Sequence, residues 1–349
     1  MNKGKWKKWE WKVVSVLGIL SLGYFLGPRP PKPDFSLLQF HPCTSDLNAL
    51  EDSIKQAEAS FPLKKDNEAR IIWVQPFQKT KYSIVYLPGN GASQEEGDPM
   101  HEALAHRYGC NLFLARPIEH GLVEENAMLK IEPVEWMQSA LDAIAVGHAI
   151  GEKVILVTCS TGSTLGLYLQ SRFPDIAIAH LMMSPNIDLY DPRSFLLLQP
   201  WGLQLARVIM SGKFYSWSAP ESAQNYWYTR YRIEGLIALK SMIDATMQES
   251  NFKKINTPVL LTYYFKDEAH QDSVVSVPRM KEMFQQLGTT PDQKREVALP
   301  DAGTHMIGCD IFNPHLESLW QPMTKYCEEV LKLSPVDTAG WKLFLDPRQ

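Results

Sequence analysis

The sequence contains few of the patterns by which metals, cofactors and nucleic acids are usually bound. Its five cysteines are odd in number, lie far apart and include no C-x-x-C pair, which argues against a disulfide framework and a zinc knot. No H-E-x-x-H or other metal-ligand spacing occurs among the nine histidines. The net charge of −4 is small, and no basic stripe follows the N-terminus. We therefore expect no metal, no cofactor and no nucleic-acid partner.

The composition is that of a globular protein with a substantial core. Hydrophobic residues make up 45% of the chain and charged residues 21%. A length of 349 residues allows one large domain with a tail, or two modest domains.

The N-terminus differs from the rest of the chain. A lysine-rich start is followed by an uncharged, mostly apolar run, residues 13–27, and then by a proline-rich stretch, residues 28–33. The apolar run is slightly short for a spanning helix, which usually needs ~17–25 residues, and no good A-x-A cleavage site follows it. The sequence predicts an uncleaved signal anchor and stalk over residues 1–33 and a domain over residues 34–349. A cleaved signal peptide is the alternative.

The charge of the N-terminus also predicts an orientation. Because the positive flank precedes the apolar run, we expect a membrane-anchored protein whose domain is extracytoplasmic, on the periplasmic or lumenal side.

After the stalk, short apolar runs alternate with helical patterns. Alternation of this kind predicts a mainly parallel sheet with helices on both faces. The predicted strands are Arg70–Val74, Tyr82–Leu87, Cys110–Ala115, Val154–Val157, Ile176–Ser184, Pro258–Tyr264 and Arg295–Leu299. The predicted helices are Asp46–Ser60, His101–Arg107, Pro133–Ile150 and Pro314–Leu333. Between residues 185 and 256 the alternation stops, and an aromatic-rich, helical stretch predicts either a cap that shapes an apolar pocket or ordinary helical packing.

The chain is organised around Ser160. This serine follows the apolar run Val154–Val157 and precedes a helical pattern, with Gly162 two residues later. A serine on a sharp turn between a buried strand and a helix is the geometry of a nucleophile elbow. Thr158 stands where glycine is usual, which makes the motif incomplete at its first position.

Other strand ends carry the remaining groups that a serine hydrolase needs. A glycine-rich turn, residues 88–93, follows the second strand and offers free backbone N–H groups. Asp267 and Asp272 follow the Pro258–Tyr264 strand, and His305 follows the last strand. Sites in parallel sheets form at the carboxyl ends of the strands, so we expect these residues to meet there.

With its order of serine, aspartate and histidine, the chain from about Glu68 onward resembles the α/β-hydrolase family. The resemblance implies a catalytic triad with Ser160 as nucleophile and His305 as general base and acid. It also implies an oxyanion hole formed by the backbone N–H groups of Thr161 and Asn90, and a helical cap matching residues 185–256. Asp272 matches the D-x-V-V pattern of the family and is the favoured triad acid, with Asp267 the alternative and Glu268 a distant third.

The predicted function is that of a membrane-anchored serine hydrolase, a carboxylesterase or lipase-like enzyme acting on small-molecule or lipid esters through an acyl-enzyme. The same triad also serves amidases, peptidases and acyltransferases. A non-catalytic binding module with this fold is the alternative from another class of protein.

Overall fold

The computed structural model describes residues 3–337; residues 1–2 and 338–349, the ends of the predicted anchor and of the predicted domain, lie outside the described residues. The strands are β1 (Arg70–Ile72), β2 (Thr80–Leu87), β3 (Asn111–Leu114), β4 (Gly151–Cys159), β5 (Ala179–Met183), β6 (Phe214–Ser216), β7 (Arg230–Arg232), β8 (Val259–Asp267), β9 (His270–Gln271) and β10 (Lys294–Leu299). The helices are α1 (Lys3–Phe25), α2 (Leu47–Ala59), α3 (Met100–Tyr108), α4 (Pro133–Ile150), α5 (Thr161–Arg172), α6 (Gly202–Ile209), α7 (Ile233–Thr246), α8 (Glu249–Phe252), α9 (Val277–Gln286) and α10 (Glu317–Glu329).

One mainly parallel sheet organises the domain. Its strand order is β1-β3-β2-β4-β5-β8-β10, and β9 pairs with β8. Strand β1 is antiparallel to β3, whereas β3, β2, β4, β5, β8 and β10 all run parallel to their neighbours along this order. The predicted sheet is confirmed, and its carboxyl edge gathers the ends of β2, β4, β8 and β10.

Helices cover both faces of the sheet. In β2 the apolar side chains alternate, because successive residues of a strand point to opposite faces. Val85 packs in the layer with Leu141 of α4 and Leu165 of α5, whereas Ile84 packs in the layer with Leu104 of α3 and Leu319 of α10. The sheet therefore has apolar layers on both faces, which holds its carboxyl edge in a fixed position.

Between β5 and β8 the chain leaves the sheet. This stretch, residues 185–256, which we name the cap segment, contains α6, α7 and α8 as predicted from its helical pattern. It also contains a two-stranded antiparallel sheet of β6 and β7, which the sequence did not predict. Each of these strands has three residues, too few for an alternating pattern to be recognised.

The N-terminal helix does not support the predicted anchor. In the described part of the chain, residues 3–337, no helix is both long and apolar enough to span a membrane. The uncharged part of α1, Val13–Phe25, is about 20 Å long at 1.5 Å per residue, whereas the hydrocarbon core of a bilayer is about 30 Å thick. The predicted signal anchor, and the extracytoplasmic location inferred from it, are therefore not supported.

The end of α1 instead contacts the cap segment. The indole N–H of Trp201 donates to the Gly23 carbonyl oxygen at 3.0 Å, and its backbone N–H donates to the Pro28 carbonyl oxygen at 3.0 Å. Phe35, just after the predicted stalk, is buried against the Tyr168 ring of α5 at 5.1 Å. Contacts on both sides of the proline-rich stretch fix its two ends to the domain.

Candidate active site

Ser160 lies on a strained turn between β4 and α5. It precedes the first residue of α5 and has φ 49° and ψ −117°, a conformation that non-glycine residues rarely adopt. A Cβ atom at Gly162 would lie 2.0 Å from the Leu87 carbonyl oxygen, so only glycine fits where α5 crosses β2. These features give Ser160 the strand–turn–helix setting that the sequence predicted.

Thr158, the departure from the usual glycine, belongs to a buried polar network beneath the turn. Its hydroxyl is 2.7 Å from Ser163 Oγ and 2.8 Å from His180 Nε2. His180 Nδ1 in turn contacts Gln170 Oε1 at 2.8 Å, and burial lowers the pKa of His180 to about 3, so the imidazole is neutral. The Thr158 hydroxyl therefore forms hydrogen bonds that a glycine at this position could not form.

His305 and Asp272 form a buried pair. His305 Nδ1 lies 2.6 Å from Asp272 Oδ2, although 33 residues separate them in sequence. The other carboxylate oxygen of Asp272 accepts hydrogen bonds from the backbone N–H groups of Val274 at 2.9 Å and Val275 at 3.1 Å. Burial alone would lower the pKa of His305, but the charge and hydrogen bond of Asp272 and the charge of Glu96 outweigh it and raise that pKa.

The alternative acids lie elsewhere. Asp267 is exposed at the turn between β8 and β9, where it accepts from the backbone N–H groups of Ala269 and His270 and contacts His270 Nδ1 at 2.8 Å. Glu268 is exposed in the same turn. Of the three predicted candidates, Asp272 is the one that the structure brings to His305.

In the turn after β2, the N–H groups of Gly89 and Gly91 have side-chain acceptors, whereas within residues 3–337 that of Asn90 has none. The Gly89 N–H donates to Glu96 Oε2 at 2.5 Å, and the Gly91 N–H donates to His120 Nε2 at 3.0 Å. Within residues 3–337, the N–H groups of Asn90 and Thr161 have no hydrogen-bond acceptor. Thr161 directly follows Ser160, and Asn90 lines the same cavity as Ser160, so both N–H groups are candidates for an oxyanion hole.

His120 and Glu96 support this turn, and the sequence did not identify either. His120 Nδ1 is 2.8 Å from the Ile118 carbonyl oxygen, which assigns the proton to Nδ1 and leaves Nε2 to accept from Gly91. Burial lowers the pKa of His120 to about 4, which favours this neutral form. No sequence spacing could have revealed it, since the contact spans 29 residues.

Glu96 is a second buried carboxylate close to Ser160. It is 3% exposed and borders the same cavity as Ser160 and His305. A Cβ atom at Gly89 would lie 2.8 Å from Glu96 Oε1 and 2.9 Å from Ser160 Cβ, which shows how close the carboxylate comes to the serine. Burial raises the pKa of Glu96, and His305 and the Gly89 N–H oppose that rise. In the sequence, the stretch Gln94-Glu95-Glu96 gives no sign of such burial.

Ser160 and His305 open into one large cavity. Its volume is about 510 Å³, and Asn90 and Glu96 also line it. In the described part of the chain, Ser160 Oγ and His305 Nε2 form no hydrogen bond; such contacts often form fully only with substrate bound. The far walls are apolar and come mainly from the cap segment: Leu196, Leu197, Leu205, Ile209, Tyr215, Trp217, Trp227 and Leu239.

No protein-family model matches the sequence, and no curated protein matches it. Solved structures do match. One comes from work on LipS and LipT, two metagenome-derived lipolytic enzymes; it is 13% identical, with a TM-score of 0.61, over 76% of this chain and 98% of that one. The monoacylglycerol lipase of Paleococcus ferrophilus is 13% identical, with a TM-score of 0.53, over 76% and 98%. The enol-lactonase of Burkholderia xenovorans LB400 is 14% identical, with a TM-score of 0.50, over 75% and 96%. Together with the strand order and the turn at Ser160, these similarities show that the chain has the α/β-hydrolase fold.

Proposed function

We propose that this protein is a serine hydrolase that cleaves carboxylic esters through an acyl-enzyme. The observation that carries the proposal is the meeting of Ser160, on its strained turn, with the buried His305–Asp272 pair at one cavity. A strained serine and a buried histidine–aspartate pair each carry a cost in stability, and their combination is what acyl transfer by a serine requires.

In the proposed reaction, Ser160 Oγ attacks the ester carbonyl carbon while His305 Nε2 takes the serine proton. Asp272 holds Nδ1–H and stabilises the imidazolium that forms. The N–H groups of Asn90 and Thr161 receive the negative oxygen of the tetrahedral intermediate. His305 then protonates the leaving alcohol and later activates the water that releases the acyl group from Ser160.

The cavity supports an ester with an apolar portion as substrate. Aliphatic and aromatic side chains of the cap segment form most of its wall, and burial of each methylene group of a substrate there is worth about 0.8 kcal/mol. Lipolytic enzymes among the structural neighbours agree with an acyl or lipid ester. We therefore propose small-molecule or lipid esters as the substrate class.

Labelling with a fluorophosphonate probe tests the activated serine. The wild-type protein should label, and Ser160→Ala and His305→Ala should not. Ser273→Ala is the matched control, because Ser273 lines the same cavity next to Asp272 and has no proposed role. Labelling that survives Ser160→Ala would refute the assignment, and absence of labelling in folded wild-type protein would favour the binding-module alternative.

A further inference from the structure

A cluster of carboxylates lies beside the active site but outside the triad. It forms where residues 94–102 meet the loop after His305, residues 306–313. Residues 94–102 follow the turn of residues 88–93, which we name the oxyanion turn. Pro99 and Cys309 form an isolated β-bridge, and the Asp310 N–H donates to the Asp98 carbonyl oxygen at 3.2 Å. The side chains of Glu95, Asp98, Glu102 and Asp310 are all partly buried at this junction.

A buried histidine with one unused nitrogen belongs to the same cluster. His101 is 0% exposed, and its ring packs against the Tyr86 ring at 4.7 Å. Its Nε2 lies 2.9 Å from the Gln94 carbonyl oxygen, which assigns the proton to Nε2 and leaves a lone pair on Nδ1. Among residues 3–337, Nδ1 has no hydrogen-bond partner, although it is fully buried. An unpaired buried nitrogen is unfavourable, and it calls for a partner.

The pattern around this imidazole is that of a metal ligand. Metal-binding histidines usually donate their other ring N–H to a carbonyl or carboxylate, as His101 does to Gln94. Asp98, His101 and Glu102 each offer a ligand atom, and these atoms all lie within 4.8 Å of one another. A small closure of the side chains would bring the three onto one ion.

We propose that Asp98, His101 and Glu102 bind a divalent transition-metal ion of the Zn²⁺ or Mn²⁺ type. One nitrogen and two carboxylate ligands suit these ions, whereas Ca²⁺ takes oxygen ligands only. The sequence showed no familiar metal spacing, because the pattern D-x-x-H-E combines a loop residue with two residues of the first turn of α3.

The surrounding charges favour a cation. Ligand atoms of Glu95, Cys309 and Asp310 lie within 4.8 Å of one another at the same junction. Besides burial, the charges of Asp310 and Asp66 disfavour the ionised form of Asp98 and raise its pKa. Arg70 is the positive side chain that opposes them, and it is already paired with Asp66 at 3.1 Å. A divalent ion would neutralise a surplus of negative charge that one guanidinium group does not balance.

The ion would have a structural role. Segment 94–102 also carries Glu96, which holds the oxyanion turn, and it is joined to the loop that follows His305. A metal bound to Asp98, His101 and Glu102 would hold the loop residue Asp98 against the first turn of α3. The site is separate from the cavity, and its existence does not depend on the proposed hydrolase activity.

The test is a metal titration of the full chain, prepared without a histidine tag and stripped with a chelator. We expect saturable binding of about one equivalent of Zn²⁺ by calorimetry, and visible absorption bands when Co²⁺ is added. Glu102→Gln and Asp98→Asn should each weaken Zn²⁺ binding by at least about tenfold, and His101→Gln should alter the Co²⁺ spectrum. Glu317→Gln, in the first turn of α10, is the matched control and should bind as wild type.

Three results would overturn the proposal. They are no saturable binding by wild-type protein, equal binding by Glu102→Gln and wild type, and tighter binding of Ca²⁺ than of Zn²⁺. If His101→Gln does not fold, the partly exposed Glu102 decides the matter, since its substitution leaves the core intact. Ser160→Ala should bind Zn²⁺ as wild type does, which separates this result from a failure of the proposed hydrolase activity.

Discussion

The carboxyl edge of the sheet and the cap segment contribute to the same cavity in different ways. At the sheet edge, Ser160, Asp272 and His305 are buried and held by strained backbone or paired hydrogen bonds. In the cap segment, α6 is partly exposed, and its side chains Leu205 and Ile209 contribute only apolar surface to the cavity. Under the proposed function, we expect the sheet edge to determine the chemistry and the cap segment to determine which substrate enters. Four substitutions test this difference between the sheet edge and the cap segment.

The largest effect is expected at Asp272, the proposed triad acid. Asp272→Asn keeps the shape of the side chain but removes the charge that orients His305, and it should lower kcat by about 10³–10⁴-fold. Asp267→Asn is the control in the same loop, and it should change kcat by less than about twofold, because Asp267 is exposed and contacts His270 instead. Steady-state kinetics with a p-nitrophenyl ester measures both, and equal losses would contradict the assignment.

The second effect concerns the close crossing of α5 and β2. Gly162→Ala would place a Cβ atom 2.0 Å from the Leu87 carbonyl oxygen, so backbone must move. We expect the free energy of unfolding to fall by about 2–3 kcal/mol or more, as in other cases of overpacking. Chemical denaturation measures this loss. Gly212→Ala, in the cap segment, is the control, because nothing lies within 4 Å of the added atom. Its free energy of unfolding should be lower than that of wild type by less than about 1 kcal/mol.

The third effect is a change in pH dependence. His305 must be neutral to act as a base, so activity should fall as the pH drops through its pKa, which Asp272 and Glu96 raise above the ordinary value. Glu96→Gln keeps an acceptor for the Gly89 N–H but removes the negative charge. The acidic limb of the kcat/KM profile should therefore move to lower pH.

A control separates this effect from a general change in charge. Asp301→Asn removes an exposed carboxylate four residues before His305, where solvent and salt screen its charge. The pH profile of kcat/KM for Asp301→Asn should match that of wild type. If Glu96→Gln leaves the acidic limb in place, Glu96 does not influence His305.

The smallest effect is expected in the cap segment. Leu205→Asp places a charge on the cavity wall and should raise KM for a laurate ester by about tenfold, with little change for an acetate ester. Val208 lies on the same helix, but its side chain is 76% exposed. Val208→Asp should therefore leave the KM values for both esters near those of wild type. A similar loss on both esters would show that the cap segment also affects the chemistry.

Sequence reasoning was most successful where patterns are local. Helix α4 has the predicted bounds, because Pro133 starts it and apolar residues recur at helical spacing. The pairing of Asp272 with His305 follows from the order of strand ends in a parallel sheet.

Contacts between distant segments were not predictable in this way. Glu96 and His120 support the oxyanion turn through tertiary hydrogen bonds, and nothing in their neighbouring residues shows that they are buried.

The apolar run near the N-terminus was interpreted as a membrane span from its composition, but helix α1 begins among lysines and its uncharged part is short. Composition does not reveal where a helix begins.

The most direct test of the central claim is to find the acyl group. Wild-type protein mixed with excess p-nitrophenyl ester should release a burst of about one equivalent of p-nitrophenol, and mass spectrometry of the quenched protein should find the acyl group on Ser160. With Ser160→Ala the burst and the adduct should both be absent. An ester that turns over without acylation of Ser160, or an acyl group on another residue that survives Ser160→Ala, would contradict the account.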